Sequence, residues 1–256
     1  MATVPPYGQE WLAAGYATAR PPVHGQILGH VAAGPARPGT ADVALDIGCG
    51  AGASTTALLR SGLGRRVLGV DPAPAMVRAA RAHAAGVSFL VGSAEALPVG
   101  SGAVGLVTAA GSMDYTDVPA FLAEARRVLS ADGALVVYDF GFGWRSAQCP
   151  GLADWHAAWL DRWPVPTNGI GAVGPRTFDG GPLELSAWTT LTVTTGFGLD
   201  AYLDYLMTES NVADAVGAGE SPDEIREWCA DRLRPLVDGP LQVEFDAYVA
   251  CLIVPA

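Results

Sequence analysis

The sequence predicts a doubly wound α/β domain. From residue 41 onward, short aliphatic runs with little polar alternation keep returning, and segments of helical periodicity separate them. Strands of that kind are buried on both faces, as in a parallel sheet covered by helices. The first run also ends in glycines, in "ALDIGCGAGAS" from Ala44 to Ser54. A doubly wound sheet binds its ligand there, beyond the carboxyl ends of the strands and near the point where strand order reverses.

The elements follow in order. Residues 43–47 read as a buried strand and 54–60 as the helix after it. Gly62 and Gly64 break the chain before a second strand, 67–70, which ends on Asp71. Met76, Val77 and Ala80 recur at helical spacing, with Gly86 as the stop. Strands three and four are expected at 87–91 and 104–109. Phe121, Leu122, Ala125, Val128 and Leu129 form one apolar helical face, with Asp117 as N-cap and Gly133 as the end. A fifth strand is expected at 135–140. The rhythm then changes. Leu152, Trp155, Trp159 and Trp163 fall at helical spacing, 164–182 is a Gly/Pro-rich loop, 183–195 is strand-like and 200–207 helical. "SPDE" at Ser221–Glu224 is a capping box with proline at the first helical position, and alternation from Leu241 to Ile253 marks a long closing strand.

Composition narrows the function. A chain of 256 residues, half of them hydrophobic, suits one sizeable domain or a domain with an insertion. The net charge is −11, and all fifteen basic residues are Arg, with no cluster beyond two Arg pairs. A nucleic-acid binder needs a cationic footprint to displace phosphate counterions, so RNA and DNA are poor partners for this chain. The four cysteines are widely spaced without a CxxC pair, which suits reduced, buried thiols in a cytoplasmic protein. "MATVPPYGQEW" lacks the basic flank and apolar core of a secretory signal. No apolar run approaches the roughly 18–20 residues that cross a bilayer, so no membrane partner is expected. No His/Asp/Glu cluster has metal-ligand spacing, and no metal is expected. Oligomeric state leaves no mark in the sequence.

Gly48 and Gly50 allow positive φ and remove the Cβ that would block a ligand lying on the backbone. The N–H groups opening the next helix favour a negative group. Gly48, Gly50 and Ala53 also satisfy a dinucleotide fingerprint, with Asp71 at the distance of a ribose-binding acid, so the loop alone suits two ligands. Asp46 separates them in this reading: a carboxylate two residues before the first glycine would repel a pyrophosphate and attract a sulfonium or ammonium charge. S-adenosylmethionine carries both.

"LDIGCGAG", "GVDPAPAMV", "GSAEALPV" and "FLAEARRVLSADGALVVYDF" occur in that order. Together they resemble the class I S-adenosylmethionine-dependent methyltransferases, in particular the small-molecule, ubiquinone-biosynthesis-like (type 11) branch. The resemblance covers residues 41–140, and more loosely 183–195 and 241–254. It implies a Rossmann-like seven-stranded sheet, parallel except for an antiparallel last strand. It also implies an N-terminal helical lid over 1–40 and a methyltransferase domain over 41–256, with cap elements at about 150–182 and 198–238. The cofactor it implies is S-adenosyl-L-methionine, leaving S-adenosyl-L-homocysteine. Asp46, Gly48 and Gly50 would line the methionine portion, Asp71 the ribose hydroxyls, and Pro72 and Met76 the adenine faces. Ala94 and Glu95 would lie at the adenine edge and Gly111 or Ser112 beneath the sulfonium. Ser93 stands where many relatives carry an acid, which leaves a weaker or shifted adenine contact. Glu124, Arg126 and Arg127 match the family pattern but read as a solvated or structural helix face.

Methyl transfer from a sulfonium is an in-line displacement in which positioning supplies most of the acceleration and a general base is optional. The resemblance assigns acceptor contacts to the N-terminal segment, the loops after strands four and five, and the insertions. Those are aromatic here: Tyr7, Trp11 and Tyr16; Met113, Asp114 and Tyr115; Phe140, Phe142 and Trp144; Trp155, Trp159, Tyr202 and Tyr205. "YATARPPVHG" resembles the lid segment of such enzymes and puts Tyr16 near the transferring methyl. An aromatic pocket suits a small, fairly apolar or aromatic metabolite of specialised, natural-product metabolism; the Trp155, Trp159 and Trp163 stripe reads equally as helix core. Tyr16, Asp139, His24 and His156 are the catalytic candidates, with Asp114 a further possible base. Two other readings stay open: an NAD(P)-dependent oxidoreductase, and a cofactor-retaining scaffold or non-methylating enzyme on the same fold.

Overall fold

The computed structural model describes residues 10–35, 37–166 and 172–255. Tyr7, and the centre of the loop expected at 164–182, lie outside the described residues. Seven strands form one sheet: β1 (Ala41–Ile47), β2 (Gly64–Asp71), β3 (Ser88–Val91), β4 (Val104–Ala110), β5 (Leu129–Phe140), β6 (Glu184–Phe197) and β7 (Leu241–Ile253). Their order is β3-β2-β1-β4-β5-β7-β6. β1 to β5 pair in parallel, and β7 runs antiparallel to both of its neighbours. Strand order reverses between β1 and β4, so the crevice expected of a doubly wound sheet opens beside the glycine loop.

Helices cover both faces. The helices are α1 (Glu10–Ala19), α2 (Val23–Ala33), α3 (Ala53–Arg60), α4 (Pro74–His83), α5 (Val118–Val128), α6 (Leu152–Arg162), α7 (Leu199–Leu206), α8 (Ser210–Gly217) and α9 (Pro222–Leu233). On one face Ile27, Leu28, Leu58, Trp159, Leu203 and Leu233 pack with Val136, Tyr138 and Phe245 of the sheet. On the other, Phe121, Leu122 and Ala125 of α5 pack with Leu45, Ile47, Val107, Leu135 and Val137. α2 is therefore core cover for the sheet, although it lies within the segment expected to act as a lid.

Local chemistry explains the boundaries. Asp117 caps α5 by accepting the Ala120 N–H at 3.0 Å, and Ser221 caps α9 through the Glu224 N–H at 3.5 Å. Gly133 does not end α5 as expected. The helix stops at Val128, Leu129 turns extended at ψ 137°, and β5 begins at once. Register with β4 jumps from Val104↔Leu129 to Leu106↔Ala134, so "SADG" is a bulge within a strand. α4 ends at His83, before Gly86, which takes its positive φ of 80° in the following turn. All four cysteines are free and buried. Among the described residues no helix is long and apolar enough to cross a membrane, and no group of three His, Cys, Asp or Glu is arranged to hold a metal ion.

Candidate active site

A cavity of about 890 Å³ opens at the carboxyl ends of the strands. Its first wall is the loop from Ile47 to Ser54. Gly48 sits at φ 67° and Gly50 at φ 52°. At Gly48 an added Cβ would lie 2.4 Å from Ser112 Cβ, so the Ser112 side chain packs directly on the Gly48 backbone and joins the β1 and β4 loops. At Gly50 nothing lies within 4 Å of the corresponding position, so the bare backbone there faces open space. Gly52 precedes α3 and offers no side-chain cap, leaving the helix's first N–H groups to a ligand or solvent.

Asp71 ends β2 on the second wall. Its Oδ2 accepts the Gly50 N–H at 2.9 Å and its Oδ1 the Ala73 N–H at 2.8 Å. Burial pushes its pKa up, and those two backbone donors oppose the shift. Pro72, Met76, Ser93, Ala94 and Glu95 continue this wall. Glu95 accepts the Asp117 N–H at 3.0 Å, which ties the segment after β3 to the start of α5. Glu124 and Arg127 hold the same segment from below: Glu124 accepts from Leu97 N–H, pairs with Arg127 at 2.6 Å, and Arg127 donates to the carbonyls of Leu97 and Val99.

Asp46 is not on the cavity surface, contrary to expectation. It is fully buried, and β-register places it beside Thr108 on the face covered by α3. Ser54 and Thr55 donate to its Oδ2 at 2.6 and 2.7 Å, and Thr108 donates to its Oδ1 at 2.7 Å. Burial raises its pKa while the three hydroxyls pull it back. The carboxylate ties β1, β4 and the start of α3 into one unit, and direct contact with a ligand is closed to it.

The third wall comes from the loops after β4 and β5 and from the helices beyond the sheet. Gly111, Ser112, Asp114 and Tyr115 line it, as do Asp139, Phe142, Trp144, His156 and Trp159. Tyr16 and His24 enter from α1 and α2. Phe142, His156 and Trp144 stack, with ring centroids 4.5 Å apart for Phe142–His156 and 5.7 Å for Trp144–His156. Phe142 also stacks on Trp159 at 4.9 Å. Five expected acceptor contacts do not reach the cavity. Trp11 is turned outward at 37% exposure. Met113 is buried against α5. Trp155, Tyr202 and Tyr205 are helix core, with the Tyr202 hydroxyl donating to the Gly143 carbonyl at 2.6 Å. Those four buried residues are apolar bulk that core packing claims first. Of the Trp155, Trp159 and Trp163 stripe, Trp159 alone lines the cavity.

Sequence reasoning missed Arg20, Glu209, Ser210 and Asn211, all on the wall. Arg20 pairs with Glu209 at 2.5 Å and its guanidinium lies over Tyr16, 4.7 Å from the ring centroid. The two charges are 189 residues apart, so nothing local reveals the pair. It joins α1 to the turn that starts α8, and it is largely buried on both sides. Replacing Glu209 with Gln should leave Arg20 without its counter-charge, at a cost of about 3 kcal/mol. Hydrogen exchange in α1 should then accelerate while β1 and β4 stay protected; unchanged exchange in α1 would remove the clasp from this account.

The titratable groups differ sharply. Burial, with Arg20 nearby, lowers the His24 pKa to about 3, and its Nδ1 lies 3.1 Å from the Tyr138 hydroxyl. Burial lowers His156 to about 4. Both imidazoles stay neutral at physiological pH and are weak bases. Asp139 moves the other way: burial raises it from 3.8 to about 6, against the Phe140 N–H that it accepts at 2.8 Å. Between those two pH values the folded protein holds a proton that the unfolded chain has released. Asp139 therefore contributes less stability as pH rises through that window, and the effect levels off above it. Relative to the parent, Asp139→Asn should gain melting temperature from pH 4 to pH 6.5; a constant difference across that range would contradict the assignment.

The mostly parallel sheet with its antiparallel β7, and a cavity at the β1/β4 reversal, define a class I methyltransferase fold. Residues 45–137 match the family described as methyltransferase domain. A Dictyostelium discoideum protein described as a methyltransferase is 30% identical over 100 residues, 39% of this chain and 37% of the relative. The demethylmenaquinone methyltransferase of Thermus thermophilus is 41% identical over 101 residues, 38% of this chain and 46% of the relative. The matches thus span less than half the length of either curated relative. Among solved structures, a type II methyltransferase from Anaeromyxobacter dehalogenans superposes with a TM-score of 0.67 at 27% identity, over 92% of this chain and 98% of that one. Geranyl diphosphate C-methyltransferase from Streptomyces coelicolor, solved with Mg2+, geranyl diphosphate and S-adenosyl-L-homocysteine, shares the fold at TM-score 0.52 and 18% identity, over 91% and 79% of the two chains.

Proposed function

We propose that the protein is an S-adenosylmethionine-dependent methyltransferase acting on a small, largely apolar or aromatic metabolite, in the cytoplasm and in specialised metabolism. The observation that carries this reading is one cavity with two chemically distinct ends. One end has the bare backbone at Gly50, the uncapped start of α3 and the Asp71 carboxylate, which fit an amino-acid head and a ribose. Pro72, Met76 and Ala94 beside them offer apolar faces to a purine. The other end is the aromatic basin of Phe142, Trp144, His156 and Trp159, which fits a planar acceptor.

The bound donor supplies an electrophilic methyl on a sulfonium. What the chain itself does is position: Tyr16 and the rings of the basin orient the acceptor, and the loop holds the donor, so that the approach is in line. His24 and His156, neutral and weakly basic, act as orienting groups. Asp139, with a pKa near 6, is the proton acceptor where the reaction releases one.

The oxidoreductase reading loses support. Asp46 does not discriminate between donors, because it is fully buried and does not line the cavity. Strand order does: the dinucleotide fold runs 3-2-1-4-5-6 throughout in parallel, whereas here antiparallel β7 separates β5 from β6. Purified protein with methyl-labelled donor and a metabolite extract tests the reading. A labelled product is expected; tight donor binding without label transfer would instead favour the scaffold reading.

A further inference from the structure

A second cavity, a groove of about 820 Å³, lies against the sheet and meets the first at Asp114, Asp139, Phe140 and Gly141. We propose that this groove is a compartment of the acceptor site that takes a protonated amine carried on an aromatic or apolar body. The proposal rests on the methyltransferase reading above.

Sheet register builds the groove. Asp139 pairs with Tyr248, and Tyr248 with Thr190, so the three side chains stand abreast on one face of β5, β7 and β6. Trp188 stacks on Tyr248 with ring centroids 4.8 Å apart and planes within 8° of parallel. Both rings are only partly buried, and they form an aromatic floor leading to the junction. Three carboxyl groups line the groove: Asp114, Asp139 and Asp246. Asp246 is already neutralised by Arg145 at 2.5 Å and accepts from Thr192 at 3.0 Å. Among the described residues, Asp114 and Asp139 form no ion pair. Arg20 is the one cation on the adjoining cavity wall among those residues, and Glu209 occupies it.

Two carboxyl groups without an ion-pair partner among the described residues, at the end of an aromatic floor, match an ammonium on a planar body, through charge attraction and cation–π contact. They repel a carboxylate or a phosphate. The groove thus restricts the proposed acceptor to amine-bearing molecules and bars anionic ones.

Fluorine NMR on the full chain with 4-fluorobenzylammonium and 4-fluorobenzoate, at pH 7.5 with saturating S-adenosylhomocysteine, tests this. The ammonium probe should bind at least tenfold more tightly than the benzoate. Trp188→Leu should weaken it at least fivefold, Trp188→Phe should retain most of the binding, and calorimetry should show unchanged S-adenosylhomocysteine affinity in both variants. Equal binding of the two probes, or no effect of Trp188→Leu, overturns the groove alone. Failure of S-adenosylhomocysteine to bind the parent protein overturns the donor reading, and the groove's role as an acceptor compartment with it.

Discussion

Asp46→Ala should lower the melting temperature by roughly 6–12 °C, from a loss of about 3 kcal/mol at a few degrees per kcal/mol in a domain of this size. Three hydroxyl donors, on Ser54, Thr55 and Thr108, lose their common acceptor at once in a fully buried site. The seam between β1, β4 and α3 opens as a result, and the glycine loop sits on that seam. Asp46→Asn should cost far less, because an amide keeps one acceptor and the hydroxyls can reverse to accept from its NH2. The contrast separates a structural carboxylate from a ligand-binding one. If Asp46 faced the donor directly, Asn would lose affinity with little change in stability, and thermal melts beside calorimetry would show it.

Gly48→Ala and Gly50→Ala should fail in different ways. Both positions have positive φ, so each substitution strains the backbone by about 1 kcal/mol. At Gly48 the new Cβ also meets Ser112 Cβ at 2.4 Å, so the two loops must part and stability should fall by a further 1–3 kcal/mol or so. Ser112→Gly in the same chain should return part of that loss, since it removes the clash but not the strain. At Gly50 nothing in the protein is displaced, so the melting temperature should drop only by a few degrees, as strain alone dictates. Donor affinity should nevertheless fall at least tenfold, because the Cβ enters the space assigned to the ligand. Unchanged affinity in Gly50→Ala would mean that the ligand lies elsewhere.

The parallel half of the sheet was legible because β1 to β4 each centre on a short aliphatic run that leads into aspartate or glycine. β5 shows where that legibility stops. "SADG" after an amphipathic helix reads as a helix terminus, yet pairing with β4 recruits Leu129 into the strand and turns the polar residues into a bulge. α8 was missed because "SNVADAVG" is short and its buried residues include Asn211 and Ala213. Asp46 is the sharpest case. Its position at a strand end suggested a ligand contact, but its side of the sheet is set by register with Thr108, 62 residues away. The paired hydroxyls at Ser54 and Thr55 were the available signal, two adjacent donors opening the helix after a buried carboxylate.

The donor wall was readable in outline, because backbone freedom at Gly48 and Gly50 and a carboxylate at Asp71 are local properties of the chain. The acceptor wall was readable as composition only. Trp155 and Trp159 share a helix one turn apart, and which of them faces the cavity depends on how α6 packs on α7 and α9. Arg20 follows α1 and Glu209 precedes α8, and only the folded chain brings their charges together.

Calorimetric titration of the purified chain with S-adenosylhomocysteine, and separately with NAD, addresses the central claim most directly: that the cradle after β1 holds an S-adenosyl nucleoside. One site for S-adenosylhomocysteine, weakened at least tenfold by Gly50→Ala, and no heat with NAD at millimolar concentration is the predicted result. Heat with NAD alone, from a site sensitive to the same substitution, would contradict it.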